Sequence, residues 1–274
     1  MLHGYHCDEL VAAFDIGADE LERWCDITAR MFVPFHDGVI SQFEGYEKLA
    51  ELDWDAYRAR YGNIGRLDLI LEAEGDSTNR YKLSKQADVL VLLYLLSAEE
   101  LRELLTGLGY PLTHATVRRT VDYYLARTSH GSTLSRIVDA WILARRDRRR
   151  SWSYFSEALA SDVTDAWGGT TAEGIHLGAM AGTLDIVQRC YTGLEARQGV
   201  LWLNPLLPEE LGSLELDLLY QGQWLTLAVS DRLVRVSAQP CAGRPVRVRV
   251  GGRIVEVRPG DTHEVELSVR HRHA

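Results

Sequence analysis

At 274 residues the chain has room for one large domain, or for a helical domain with a smaller module. Hydrophobic residues at 46% and charged residues at 25% describe an ordinary globular protein and exclude a disordered one. The formal net charge of −9 argues against nucleic acid or an anionic membrane surface as a partner.

The opening residues, Met1-Leu2-His3-Gly4-Tyr5-His6-Cys7-Asp8-Glu9, lack the basic start and apolar centre of a signal peptide. No uncharged apolar run is long enough to span a bilayer, so a cytoplasmic location is expected. Cys7, Cys25, Cys190 and Cys241 are scattered, with no C-x-x-C pair, and are expected to be reduced thiols.

From Ala18 to Phe32 an amphipathic helix is predicted, with Leu21, Trp24, Ile27 and Met31 at three- and four-residue spacing. Pro34 ends it, and Pro34 to Ile40 reads as a loop rich in aromatics and turn formers. Short helices follow at Trp54–Tyr61 and Leu67–Ala73, the second closed by Gly75. Between Tyr81 and Leu96 the apolar residues run almost without interruption, which predicts a helix buried on every side. Ser97 with Glu100 forms a capping-box pattern for the next helix. Helices over 113–126, 132–146, 152–163 and 171–190 complete this part. The basic run Arg145 to Arg150 reads as a solvated helix end, where cations suit the C-terminal dipole.

After Gly199 the apolar period changes from 3.6 to 2. Strands are predicted at 214–220, 224–229, 233–236, 246–250, 254–257 and 265–269, separated by Gly, Pro and Asp. Short strands at this spacing indicate a small antiparallel sandwich. In the tail, His271 and His273 alone are weak grounds for a metal site.

Three segments resist a purely structural reading. Lys85, Gln86 and Asp88 open a helix that is otherwise nearly all apolar. They are either solvated at a helix end or facing a polar cavity, where Lys and Gln donors and acceptors suit sugar hydroxyls. Thr128 to Ser135 joins two helices, and Ser132 and Thr133 sit where the next helix presents unpaired N–H groups. That is either an ordinary N-cap or an anion site. The third segment, 169–183, repeats Gly174, Gly178 and Gly182 every four residues, so one face of the predicted helix is bare. Glycines in a helix cost about 1 kcal/mol each against Ala, and close packing or a bordering pocket would offset this. His176 on that helix is either a satisfied core histidine or a ligand to an anion; no second histidine completes a zinc motif with Glu173.

Together, Lys85-Gln86-Ala87-Asp88-Val89, His130-Gly131-Ser132-Thr133-Leu134-Ser135 and the segment Glu173 to Thr183 resemble glycoside hydrolase family 65 in order and approximate spacing. The segments Phe35 to Tyr46 and Leu201 to Pro205 add to the likeness, which runs from about residue 18 to 265. The resemblance implies a mainly α protein: about half of an (α/α)6 barrel over residues 1–198, then a small antiparallel β-sandwich over 199–274. It also implies a phosphorylase of the trehalose, maltose or kojibiose type, releasing β-glucose 1-phosphate with inversion. In such an enzyme a general-acid Glu protonates the glycosidic oxygen and inorganic phosphate takes the place of water, so no second carboxylate base is needed.

Carried over by position, Lys85 and Gln86 match residues that hold the glucosyl unit, and Ser132, Thr133 and His176 match the phosphate pocket. No cofactor is implied beyond phosphate as co-substrate; the other partner is an α-linked glucose disaccharide. The family's general acid lies in an Asp-Glu-Tyr-His segment, whereas Asp8-Glu9 is followed here by Leu10-Val11. The catalytic acid is therefore expected upstream of this chain, which is inactive alone. Three readings follow: a part of a split enzyme completed by an N-terminal partner chain or a homodimer, a non-catalytic sugar- or phosphate-binding remnant, or a helical scaffold that binds another protein.

Overall fold

A computed structural model describes residues 7–86, 88–164, 172, 174–230 and 233–267. The expectations for Glu173 and for His271 and His273 fall outside the described residues. The chain divides into two compact units. Of the described residues, one takes those within 11–142 and 153–180; the other takes 7–10, 143–152 and those within 181–267.

The first unit is made mostly of helices, and some of the helical residues belong to the second. After the short α1 (Cys7–Ala13), α2 (Ala18–Ala29) stops three residues before the expected end and buries none of its side chains. Trp24, Ile27 and Met31, the predicted apolar stripe, stand exposed. The expected loop is instead a tight hairpin, β1 (Phe35–His36) and β2 (Val39–Ile40). Asp37 and Gly38 both take positive φ, 47° and 73°, as a two-residue turn between right-twisting strands requires. The hairpin is held by Thr120, whose hydroxyl accepts from the Ile40 amide at 3.2 Å, and by Tyr124, which donates to the Ile40 carbonyl at 2.8 Å.

Helices α3 (Trp54–Tyr61) and α4 (Leu67–Ala73) fall where the spacing places them, with Leu67 and Leu71 fully buried in a small core of their own. The apolar run from Tyr81 behaves differently. Residues 81–86 are not helical, with isolated bridges at Tyr81 and Ser84 between bends, and α5 begins only at Asp88 and ends at Leu95. The reason is a second set of backbone partners. The Ser84 amide donates to the Arg127 carbonyl and the Ser129 amide to the Ser84 carbonyl, each at 2.9 Å, and these bonds replace a helical turn. Nor is α5 buried on every side: Val89 and Leu90 are buried, but Leu95 is 63% exposed.

Helix α6 (Ala98–Gly107) starts with the predicted capping box, and Thr113 caps α7 (His114–Leu125). These helices close on a core that includes Tyr46, Leu90, Leu101, Leu105, Val121, Tyr124 and Val138. After α8 (Thr133–Leu143) comes α9 (Arg148–Ala160), so the basic run is split. Arg145 and Arg146 follow the C-terminus of α8, as the dipole favours, but Arg148 to Arg150 occupy the first turn of α9, which it disfavours. The Asp147 carboxylate accepts from the Arg150 amide at 3.0 Å and supplies the negative charge there. Helix α10 (Leu177–Asp185) runs on as a π-helical segment, Ile186–Tyr191. Gly174 lies before α10 with φ at 100°, so the three glycines do not share one helix face.

The second unit carries the strands β3 (Glu195–Arg197), β4 (Val200–Leu203), β5 (Ser213–Tyr220), β6 (Gln223–Ser230), β7 (Leu233–Ala238), β8 (Val246–Val250), β9 (Arg253–Val257) and β10 (Thr262–Glu266). They form two four-stranded sheets, ordered β10-β7-β6-β5 and β3-β4-β8-β9. Among the described residues all pairings are antiparallel except β4 with β8, which run parallel, a departure from the wholly antiparallel expectation. Alternation decides the inner faces: Leu225, Leu227 and Val229 on β6 and Val246, Val248 and Val250 on β8 are buried.

Candidate functional site

The helical unit contains a cavity of about 830 Å³. Its walls come from four places in the sequence. Gln42, Phe43, Tyr46 and Leu49 follow the hairpin, Asp68 stands on α4, the strip from Thr78 to Gln86 leads to Asp88 at the start of α5, and Ser129 and Ser132 precede α8.

The strip and the loop before α8 are locked together. Besides the two backbone bonds at Ser84, the Ser135 hydroxyl donates to the Lys85 carbonyl at 3.2 Å. The Ser132 hydroxyl donates to the Gln86 side-chain oxygen at 2.9 Å. Lys85 is half exposed, with its ammonium 4.0 Å from the Asp68 carboxylate. Burial works against ionisation of Asp68, but Arg66, the Leu69 amide and Lys85 outweigh it and hold the carboxyl below its ordinary value. At Tyr46, by contrast, burial prevails, and the phenol is pushed up to about 12 and stays neutral.

The two readings of Ser132 turn out not to exclude each other. Its oxygen accepts from the Leu134 amide at 3.3 Å, as a cap would, while its proton points to Gln86 at the cavity wall. Thr133 is the first residue of α8 and is half buried, but it does not line the cavity. Neither does His176, which lies just before α10. There the Asp162 carboxylate accepts from the His176 amide at 2.9 Å and pairs with Nδ1 at 2.6 Å. These bonds hold the Asp162 carboxyl below its ordinary value. The segments containing Thr133 and His176 are nonetheless neighbours, since a Cβ on Gly178 would sit 3.3 Å from the Leu134 side chain.

So the structure brings Lys85, Gln86, Asp88 and Ser132 to one cavity and leaves Thr133 and His176 outside its lining. Ser129, from the segment Thr128 to Ser135, faces it too, as do residues that the sequence does not single out one by one: Gln42, Tyr46, Asp68 and Thr78. Gln42 and Tyr46 lie in the segment Phe35 to Tyr46, whose likeness to the family was legible; nothing in the local sequence marks Asp68. Among the described residues no group of three or more His, Cys, Asp or Glu could hold a metal ion, and no helix is long and apolar enough to cross a membrane.

Comparison with known proteins gives these contacts a context. The profile of the glycosyl hydrolase family 65 central catalytic domain matches residues 2–185, and that of the family's C-terminal domain matches residues 194–257. An uncharacterised glycosyl hydrolase of Mycobacterium tuberculosis is 54% identical over 94% of this chain, which covers 20% of that protein. The trehalose 6-phosphate phosphorylase of Lactococcus lactis is 36% identical over 82% of the chain, covering 30% of the enzyme. The kojibiose phosphorylase of Caldanaerobacter subterraneus is 30% identical over 86% of the chain and 29% of the enzyme. A solved structure from the human microbiome, provisionally named a kojibiose phosphorylase, superposes with a TM-score of 0.71 over 97% of this chain and 36% of its own. At 19% identity that likeness speaks for the fold alone. The chain thus spans between a fifth and a third of the length of these curated relatives.

Proposed function

Because this chain belongs to glycosyl hydrolase family 65, we propose that it supplies the sugar and phosphate subsites of an inverting α-glucoside phosphorylase whose general acid lies outside it. In this reading residues 1–198 are about half of an (α/α)6 barrel and residues 199–274 a β-sandwich, in a cytoplasmic protein. Lys85 and Gln86 hold the glucosyl unit, and Ser132, Thr133 and His176 hold phosphate. Phosphate is the co-substrate and no other cofactor takes part.

The observation that carries the proposal is the bond between Ser132 and Gln86. It joins residues 46 positions apart at one cavity. Its volume, about 830 Å³, lies within the roughly 300–1,000 Å³ of small-molecule sites. The relatives named phosphorylases favour phosphate over water as the nucleophile. In the reaction a phosphate oxygen attacks the anomeric carbon, the glycosidic bond breaks, and the leaving oxygen takes a proton from the acid.

The cavity's own carboxylates do not suit the acid's role. A general acid at neutral pH needs a raised pKa, whereas Asp68 is held low by Arg66, Leu69 and Lys85 against the effect of burial. Asp88, at the start of α5, is exposed. Leu95, 63% exposed at the end of α5, fits the same reading, since the rest of a barrel would cover it.

Two measurements test this. The purified chain should release no glucose 1-phosphate from trehalose, kojibiose, nigerose or maltose, since a missing acid costs about 10²–10⁴-fold in rate. Titration of the chain with inorganic phosphate should show binding that Ser132→Ala with Thr133→Ala weakens while glucose binding persists. Turnover by the chain alone, or phosphate binding indifferent to both substitutions, would overturn the proposal.

A further inference from the structure

A serine hydroxyl carries one proton, so it can donate to only one acceptor at a time. In this structure Ser132 spends that proton on the Gln86 side-chain oxygen at 2.9 Å, while its oxygen accepts from the Leu134 amide at 3.3 Å. An anion at the start of α8 offers acceptors only. To bind one, Ser132 must turn its proton away from Gln86. The Gln86 oxygen then loses a donor in a half-buried position, where an unmade hydrogen bond is costly. A sugar hydroxyl reaching Gln86 can replace the lost donor.

We propose that the Ser132–Gln86 hydrogen bond is a clasp that couples the two subsites, so that sugar and phosphate each strengthen the other's binding. This rests on the assignment of the subsites made above and adds how they communicate. No movement of the backbone is required. The strip and the loop stay joined through the Ser84 carbonyl, which accepts from Ser129, and the Lys85 carbonyl, which accepts from Ser135. Only two side-chain rotors exchange partners. The coupling is reciprocal by thermodynamic necessity, and the bond at stake limits it to about two- to tenfold in affinity.

The test is calorimetric titration of the full chain with inorganic phosphate, alone and in saturating glucose, and with glucose in the presence and absence of phosphate. Each ligand should tighten the other by the same factor of about two to ten. Gln86→Met, similar in length but without the acceptor, should bind phosphate alone more tightly than the natural chain by about that factor, and glucose should no longer change it. If Gln86 merely orients Ser132, the same variant binds phosphate more weakly, and the clasp is wrong. Equal phosphate affinity with and without glucose in the natural chain overturns it as well, without any variant having to fold. Should the natural chain bind neither ligand, the subsite assignment itself falls and the clasp with it.

Discussion

Gly131 and Gly65 approach so closely that a methyl group on Gly131 would lie 2.1 Å from the Gly65 carbonyl oxygen. The same methyl would stand 3.1 Å from Cγ of Lys85. Three segments, the turn before α4, the strip 81–86 and the loop before α8, therefore meet at a point that admits no side chain. Gly131→Ala must push the backbone of one of them aside, at a cost in the range of about 1–3 kcal/mol for overpacking. Thermal melting should show that loss, and glucose binding should weaken with it because Lys85 moves. An unchanged melt would mean the three segments are not held in this contact.

The Asp162–His176 pair makes a prediction in pH. The carboxyl's pKa falls on folding, chiefly through its bond to the His176 side chain and then through the bond to its amide. A group of this kind contributes stability above its unfolded value of about 3.9, and the contribution is lost as pH falls through the lower folded value. Asp162→Asn should therefore melt earlier than the natural chain near neutral pH, and the gap should close as the pH drops below about 3.9. A gap that stays constant down to acid pH would show that the carboxylate's bonds to His176 are not its source.

Self-association follows from the exposed apolar side chains. Leu95 at the end of α5 is 63% exposed, and Leu177 at the start of α10 is 76% exposed. Exposed leucines on helices this apolar are expected to find partners, so light scattering should show mass rising with concentration. Leu95→Glu should reduce the effect. A monodisperse monomer at all concentrations would count against the proposal that further barrel helices cover α5.

Asp68 is predicted to act through Lys85. Asp68→Asn removes the carboxylate charge 4.0 Å from the Lys85 ammonium. A partly exposed pair of this sort is worth about 0.2–1 kcal/mol, so glucose affinity should fall by a small factor while the melting temperature barely moves. Loss of stability without any change in binding would assign Asp68 a structural role only.

Much of this was legible without coordinates. Local chemistry places α3, α4, the Ser97 capping box and the Thr113 cap, because propensity and capping act within a few residues of chain. Period-2 alternation likewise places most strands of the second unit, and the motifs around Lys85, Ser132 and His176 point to the family by themselves. What the chain could not reveal is set by partners distant in sequence. Residues 81–86 leave the helix because Arg127 and Ser129 pair with Ser84 some 43 to 45 positions away. The glycine repeat looks like one helix face until Gly174 takes a positive φ. The basic run looks like one helix end until Asp147 caps a new helix inside it. Whether Ser132 is a cap or a cavity residue is decided by Gln86, and Asp68 enters the cavity wall from α4 with no local mark of its role. Spacing records what a residue does to its neighbours along the chain; only the tertiary fold decides which remote donor meets which acceptor, and the cavity is made of such meetings.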